Sequence, residues 1–515
     1  MGTRLKFIRK EKIALNKMED LHRLVRLVTH YSSKSQPLLN LQDESNLDTK
    51  FFNLIKSGAV KSDEDAALEL YGQRDRAANY RMLKSRLRKK LLSHLHFLKL
   101  PEGKFRATSI NKYQCSSLLL EAQSLIVLNE IRMANKVLDQ ALALAKQNEL
   151  NDQVVKILEQ KQWVNLILGN KKKHEETRLE LEKFYKIEKA EREAIHIFQS
   201  VSVVLKDKFT ARSTSLQKYP AILARMKELW EISNSSLVFN YYHILLIQYH
   251  EFTGDYNAVI GSVTAAESLL TEGKVHTSWF NHAFNSFIKA YALLQTKQYE
   301  QGLNFVEQRL KHFEPYSMSW FPFMENYFLL AVHAKSYQLA LNIIEKSLQD
   351  KHILKIANGD KERWELYRRY LLLLQKRERL GNDFKYTETV VSELVLLPKD
   401  KEGFNLSLLV LDAIELLSNP NLDDYEPLAE RIRKYISKYL RGEKAERGRL
   451  FLRMLLLVIK EGLDPAQSRE KGERLLEKLS VALPPGDAFA EVEIVPYEQL
   501  WELVLWVLCQ RKGRK

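Results

Sequence analysis

Three arginines, Arg74, Arg81 and Arg88, stand seven residues apart in "RDRAANYRMLKSRLRKKLLSHL". In a helix that interval is close to two turns, so the guanidinium groups share one side, with Lys84 beside them. A row of cations at this spacing suits contact with a phosphate backbone, and Tyr80 or Arg81 is placed to reach bases. The preceding "SDEDAALELYG" starts with Ser62 as a cap and Asp65 as its partner. Gly72 separates it from the basic segment, so the pair has the outline of a helix-turn-helix. A plainer reading stands beside this one. Cations late in a helix offset its dipole, and a charged outer face is ordinary. Between Arg74 and Leu95, Asn79 is the only amide for reading a base edge. Tyr80, Leu83, Leu87, Leu91, Leu95 and Leu98 recur at steps of three or four, so the helix docks its other face on a neighbour.

Catalytic chemistry has no comparable pattern. Neither phosphate-cradling glycine loop occurs, and no H-E-x-x-H is found among the 13 histidines. His94 and His96 are two apart and point to different helix faces, which does not suit a metal. Cys115 and Cys509 read as packed or incidental residues rather than nucleophiles. Asp63, Glu64 and Asp65 read as a helix start. The expectation is a chain that is not an enzyme, with no catalytic residue, metal or cofactor.

The elements that carry these residues are helices. The chain has 515 residues, 45% hydrophobic and 28% charged, with 18 Gly and 12 Pro. So few turn-formers over this length favour long helices over a many-stranded sheet. At most "AEVEIV" (490–495) suits a short extended segment. The net charge of +15 permits an acidic partner without identifying one. Two cysteines suit a reducing compartment. The first residues have no apolar run of signal-peptide length and no myristoylation pattern. No apolar run is long enough to cross a bilayer. The chain is therefore expected to be soluble and cytoplasmic, without membrane insertion.

Four segments share one shape, an apolar helix, a short turn and a helix with small residues on its packing face. They are "SLIVLNEIRMANKVLDQALALA", "YYHILLIQYHEFTGDYNAVIGSVTAAESLL", "FIKAYALLQTKQYEQGLNFVEQRLKHFEP" and "NYFLLAVHAKSYQLALNIIEKSL". The first small position reads as Ala134, Ala258, Gly302 and Ala340. The second reads as Ala141, Ala265 and Ser347, with Arg309 in the third segment. Tyr299 and Tyr337 precede the small residues, Tyr256 stands one residue out of register, and Ile131 takes the place in the first segment. This pattern resembles the tetratricopeptide repeat over about residues 110–350. The whole chain also resembles uncharacterised bacterial helical-repeat proteins, which implies no activity. The resemblance implies an all-α fold, an α-α superhelix: a solenoid of stacked helical hairpins behind an N-terminal helical module. The expected layout is a basic module at 1–105, repeats at 106–396, and further repeats with a capping helix at 397–515.

The repeat family commonly holds peptides with Asn and Lys on its first helices. Asn281, Asn285 and Lys289 share one helical face, and Asn326 follows in the next segment. An asparagine can grip a peptide backbone from both sides, and a lysine can take a carboxylate. The alternative is that Trp279, Phe280, Phe284 and Phe287 are core and the asparagines merely exposed. The expected function is a non-enzymatic scaffold or adaptor that binds a protein or peptide in its groove. The alternative is a nucleic-acid-binding regulator whose Arg74, Arg81, Lys84 and Arg88 touch phosphates.

Overall fold

The computed structural model describes residues 45–72, 77–95, 106–206, 217–348, 358–378, 403–419, 424–441, 445–482 and 493–512, with isolated positions at 21, 22, 25, 29, 98, 353, 356, 421 and 422. The fold is all-α, and no strand occurs among the described residues. Residues 493–495, which the sequence allowed to be extended, form a bend at the start of the last helix. No described helix is long and apolar enough to cross a membrane. The described residues fall into two units. One holds those of 1–208, 227–239 and 276–279, and the other those of 209–226, 240–275 and 280–515. The boundaries expected at 105 and 396 lie outside the described residues.

In the first unit, α1 (Leu47–Ser57), α2 (Asp63–Tyr71) and α3 (Ala77–His94) close on one core. Phe51, Phe52, Ile55, Ala66, Leu83, Leu87 and Leu91 fill it, so the apolar stripe of α3 faces inward as its spacing predicts. Asn46 and Ser62 cap α1 and α2 through their side chains. Next come α4 (Ala107–Val127), α5 (Ile131–Gln147), α6 (Asn151–Ile167) and α7 (Lys171–Lys206), packed in chain order. Lys112, early in α4, lies 2.7 Å from Asp152, early in α6. These two helices touch and run parallel, with α5 returning between their ends.

Helices α8 (Tyr219–Ser233) and α9 (Ser236–Thr253) have residues in both units. The second unit continues with α10 (Tyr256–Thr271), α11 (His282–Gln295), α12 (Tyr299–Arg309), α13 (Trp320–His333) and α14 (Tyr337–Leu348). It ends with α15 (Asn358–Glu378), α16 (Phe404–Ser418), α17 (Glu426–Tyr439), α18 (Glu446–Lys460), α19 (Pro465–Val481) and α20 (Tyr497–Lys512). Helix α20 packs against α15, α16, α18 and α19. Being surrounded accounts for its apolar residues nearly all round the axis, with Leu500, Trp501, Val504 and Leu508 all buried.

One turn recurs between the paired helices. Asn129, Gly254, Lys297 and Lys335 are left-handed, with φ of 61°, 74°, 59° and 58°. Each donates its N–H to the carbonyl three residues back, and the next residue donates to the carbonyl five back. That is a Schellman closure, which satisfies carbonyls a helix end leaves open. Two residues later the next helix begins, at Ile131, Tyr256, Tyr299 and Tyr337. Counting from this turn corrects the second segment. Tyr256 is in register, and the inward positions are Val259, Val263 and Ala266. Ala258 is half-buried and Ala265 exposed, so neither packs as the sequence pattern suggested. Ala134, Ala141, Gly302, Ala340 and Ser347 are buried at the expected places. At Gly302 a Cβ would stand 2.6 Å from the buried Leu330 side chain, which is why this position is small.

Two helical glycines give opposite tests of this packing. Gly261 is exposed in α10, and a Cβ there meets nothing within 4 Å. Gly261→Ala should stabilise the chain by about 0.5–1 kcal/mol through backbone entropy alone. At Gly472 in α19 a Cβ would lie 2.7 Å from the indole of buried Trp501. Overpacking against a rigid ring costs about 1–3 kcal/mol, which outweighs the same propensity gain. Gly472→Ala should therefore lower the urea midpoint and Gly261→Ala raise it. Equal shifts in one direction would contradict this packing.

Candidate protein-docking surface

The expected groove of the second unit is not open. Asn285 is 3% exposed. Its Nδ2 donates to the Asn281 carbonyl at 2.9 Å, which leaves Oδ1 as the acceptor for His243 Nε2 at 2.7 Å. Asn281 caps α11 by accepting the Phe284 N–H. Asn326 is buried, and its amide reaches the Phe287 carbonyl at 3.4 Å. The ammonium of Lys289 bonds Thr264 Oγ1 at 2.9 Å and lies 3.6 Å from Glu267. Asn285, Asn326 and Lys289 tie neighbouring helices together and Asn281 caps its own helix, so the Asn285 and Asn326 amides expected to grip a peptide are spent inside the chain. Phe280 is buried and Trp279, Phe284 and Phe287 partly so, in line with the alternative for that segment, but Asn285 and Asn326 are buried where that alternative expects them exposed.

The basic helix α3 is divided between interior and exterior. Lys84 turns inward, with its ammonium 2.5 Å from Asp63, which also accepts from the Tyr80 hydroxyl. Arg86 and Lys90 clamp Asp48 of α1, a carboxylate only 2% exposed. Arg81, Arg88 and Lys89 are exposed, with Met82 and Leu92 beside them. Lys84 therefore cannot join the row of phosphate contacts. Arg74 lies outside the described residues.

Among the described residues, most exposed large apolar side chains lie along α4–α7 of the first unit. Leu120 and Val127 are seven residues apart on one face of α4, and Val127 is 85% exposed. On α6, Trp163, Leu166 and Ile167 point outward together, with the indole-bearing residue 56% exposed. The Lys112–Asp152 pair brings residues forty apart in sequence level with each other. Because both helices run the same way from that pair, Val127 and Ile167 lie toward the same end of the two helices. Leu128 and Leu168 continue the exposure at the turns that end α4 and α6, and Met133 does so in the first turn of α5. Contiguous large apolar side chains on a rigid frame are a binding feature, because a soluble surface otherwise carries them singly.

The sequence held a trace of this surface. "SLLLEAQSLIVLNE" and "DQVVKILEQKQWVNLIL" are apolar round more of the helix than packing on one side requires. Periodicity shows that an extra apolar face exists. It does not show that α4 and α6 bring two such faces side by side.

Two buried charged clusters complete the chemistry. In the second unit, all five N–H donors of Arg447 are engaged. Nε and Nη2 reach Glu493 at 2.5 and 3.0 Å, Nη2 also reaches Glu498 at 2.8 Å, and Nη1 reaches the Leu479 and Ala482 carbonyls. Burial works against the guanidinium charge, but the two carboxylates outweigh it and hold the group well above its usual value. Burial also pushes Glu493 up, with Arg447 opposing. A cleft of about 260 Å³ opens beside them, walled by Lys297, Lys335, His333 and Glu502. His333 Nε2 donates to the Glu493 carbonyl at 2.7 Å, and burial lowers the ring to about 4. The imidazole is therefore neutral at physiological pH, and Nδ1 carries the lone pair. Cations and carboxylates balance on the walls, so the cleft selects no ligand charge. The cluster acts as a clasp joining α18, α19 and the start of α20.

In the first unit, Glu191 of α7 is buried, and one carboxylate oxygen accepts from Asn151 Nδ2 at 2.7 Å and Ser235 Oγ at 2.5 Å. Burial raises it to about 7, opposed by those two hydrogen bonds and helped by Asp152 and Glu149. Cys115 is a buried free thiol, pushed up to about 11 by burial, and Cys509 is exposed and free. Neither carries an activating base among its described contacts.

Comparison with protein-family models, with curated proteins and with solved structures gives no match to this chain.

Proposed function

We propose that the chain is a non-enzymatic scaffold that holds a protein partner on the paired apolar faces of α4 and α6. The single observation behind this reading is the outward Trp163, Leu166 and Ile167 beside Val127 on a parallel, touching helix. Such a face lowers its free energy by about 25 cal/mol for each Å² of apolar area a partner covers. The resemblance to peptide-binding helical repeats supports the same class, with the surface in the first repeats rather than at Asn285. The free thiols suit a cytoplasmic, reducing setting.

A photo-crosslinking phenylalanine at Leu166, in the full chain inside its own cell, tests the reading. Protein adducts should form there, disappear with Trp163→Glu, and be absent from the same probe at exposed Glu473. Equal labelling at both positions would remove the assignment.

Nucleic-acid binding through α3 is the second reading, favoured by Arg81 and Arg88 sharing an exposed face. It ranks lower because Lys84, Arg86 and Lys90, three of the six Lys and Arg residues of α3, are already paired with Asp63 and Asp48, which offset two of their three charges.

A further inference from the structure

We infer that the partner segment on this face is a short amphipathic helix carrying acidic residues around its apolar anchors. The inference rests on the docking role proposed above and names the occupant. The face itself selects a helix over an extended chain. An extended peptide needs side chains that accept and donate to its backbone. Here Ser116 and Ser124 on the α4 face are bonded to the carbonyls of Lys112 and Leu120 of their own helix, which leaves Gln123 and Gln160 as the amides nearest the anchors, too few to hold a row of peptide groups. A helix satisfies its own backbone and needs only apolar contact. Two parallel helices offer it a furrow to lie in. Leu120 and Val127 span about 10 Å of helix rise, which matches two turns of a partner with anchors at i, i+3 or i+4, and i+7.

The rim sets the charge of that partner. Lys156 stands among the apolar residues of α6, and Lys136 lies on α5. At the end where Val127 and Ile167 emerge, Arg132 opens α5 and Lys171, Lys172 and Lys173 open α7. These six are exposed and make no ion pair among the described residues. Glu121, Glu130, Glu159 and Glu176 are the nearby acids; Glu175 is paired with Arg178, and Glu159 accepts from the Tyr185 hydroxyl at 2.9 Å. Lys112 and Lys161 are cancelled by Asp152 and Asp139. The rim is therefore net positive, and a positive rim around an apolar centre favours acidic flanks on the partner and speeds their encounter.

The test uses the full chain and three labelled helical peptides with identical Leu and Trp anchors. Their outer positions are all Glu, all Lys or all Gln, and binding is read by fluorescence anisotropy. At low salt the Glu peptide should bind at least tenfold tighter than the Lys peptide. The advantage should shrink at 0.5 M salt, because these charges are solvent-exposed. Arg132→Glu with Lys156→Glu should reverse the order, and Leu166→Asp should weaken all three. These are surface positions, so the fold should be kept. Equal affinities for the three peptides would overturn the acidic partner while leaving adducts at residue 166, and the docking role, intact. Binding by none of them would overturn the helical occupant. A dimer in light scattering that Leu166→Asp returns to monomer would make the occupant a second copy and overturn it as well.

Discussion

Arg447→Met should unfold at much lower urea than the unaltered chain, with a loss of about 3–5 kcal/mol. The side chain is 6% exposed, and its main partner Glu493 is 11% exposed. Removing the guanidinium leaves that carboxylate inside the second unit with its counter-charge gone. It also leaves the Leu479 and Ala482 carbonyls without their donor. Glu498 is a third exposed and can turn to water, so its share is smaller. Glu493 should respond by taking up a proton, because burial already pushes it up and, with Arg447 gone, the Tyr497 backbone N–H is left to oppose that. Arg447→Met combined with Glu493→Leu should recover part of the loss, since an apolar pair replaces an ion pair at lower cost than a lone charge. Hydrogen exchange of the α18–α20 amides in the full chain reads this directly. A single variant within about 1 kcal/mol of the parent would show that the clasp does not hold these helices.

Glu191→Gln should stabilise the first unit at pH 8 and leave it almost unchanged at pH 4.5. Folding raises this carboxyl from its ordinary value near 4.5 to about 7. Between those values the folded chain binds a proton that the unfolded chain does not. Its contribution is therefore fully present below about pH 4.5 and is lost as pH rises through about 7. The interval corresponds to about 3 kcal/mol as an upper figure. Glutamine is neutral at every pH and keeps an oxygen for Asn151 and Ser235. The variant should thus lack the loss that the parent suffers above neutrality. Protection of α6 and α7 amides, compared between variant and parent at each pH, measures the difference. The same offset at both pH values would mean that Glu191 does not titrate inside the fold.

Much of the framework was legible in the residues. Ser62 was readable as a cap from its place before three acids, and it caps α2. The heptad-like row Tyr80, Leu83, Leu87 and Leu91 was readable as a buried stripe, and it is one. The site was not legible in the same way. Asn281, Asn285 and Lys289 do share a helical face, but a shared face may turn outward or inward. His243 lies forty-two residues before Asn285, and no spacing rule links them. In the basic helix, Lys84 and Arg88 look alike in sequence. Asp63 draws the first inward, while the second is exposed among the described residues.

The sequence alone determined the helical class, the cap of α2, and the small packing residues of three of the four repeat-like segments. Those properties depend on neighbours within about four residues, where periodicity and capping act. The tertiary structure decided which polar residues are consumed in the interior and which apolar residues are left over. That choice depends on contacts between helices far apart in the chain. Val127 and Ile167 become one surface only because α4 and α6 run parallel and touch.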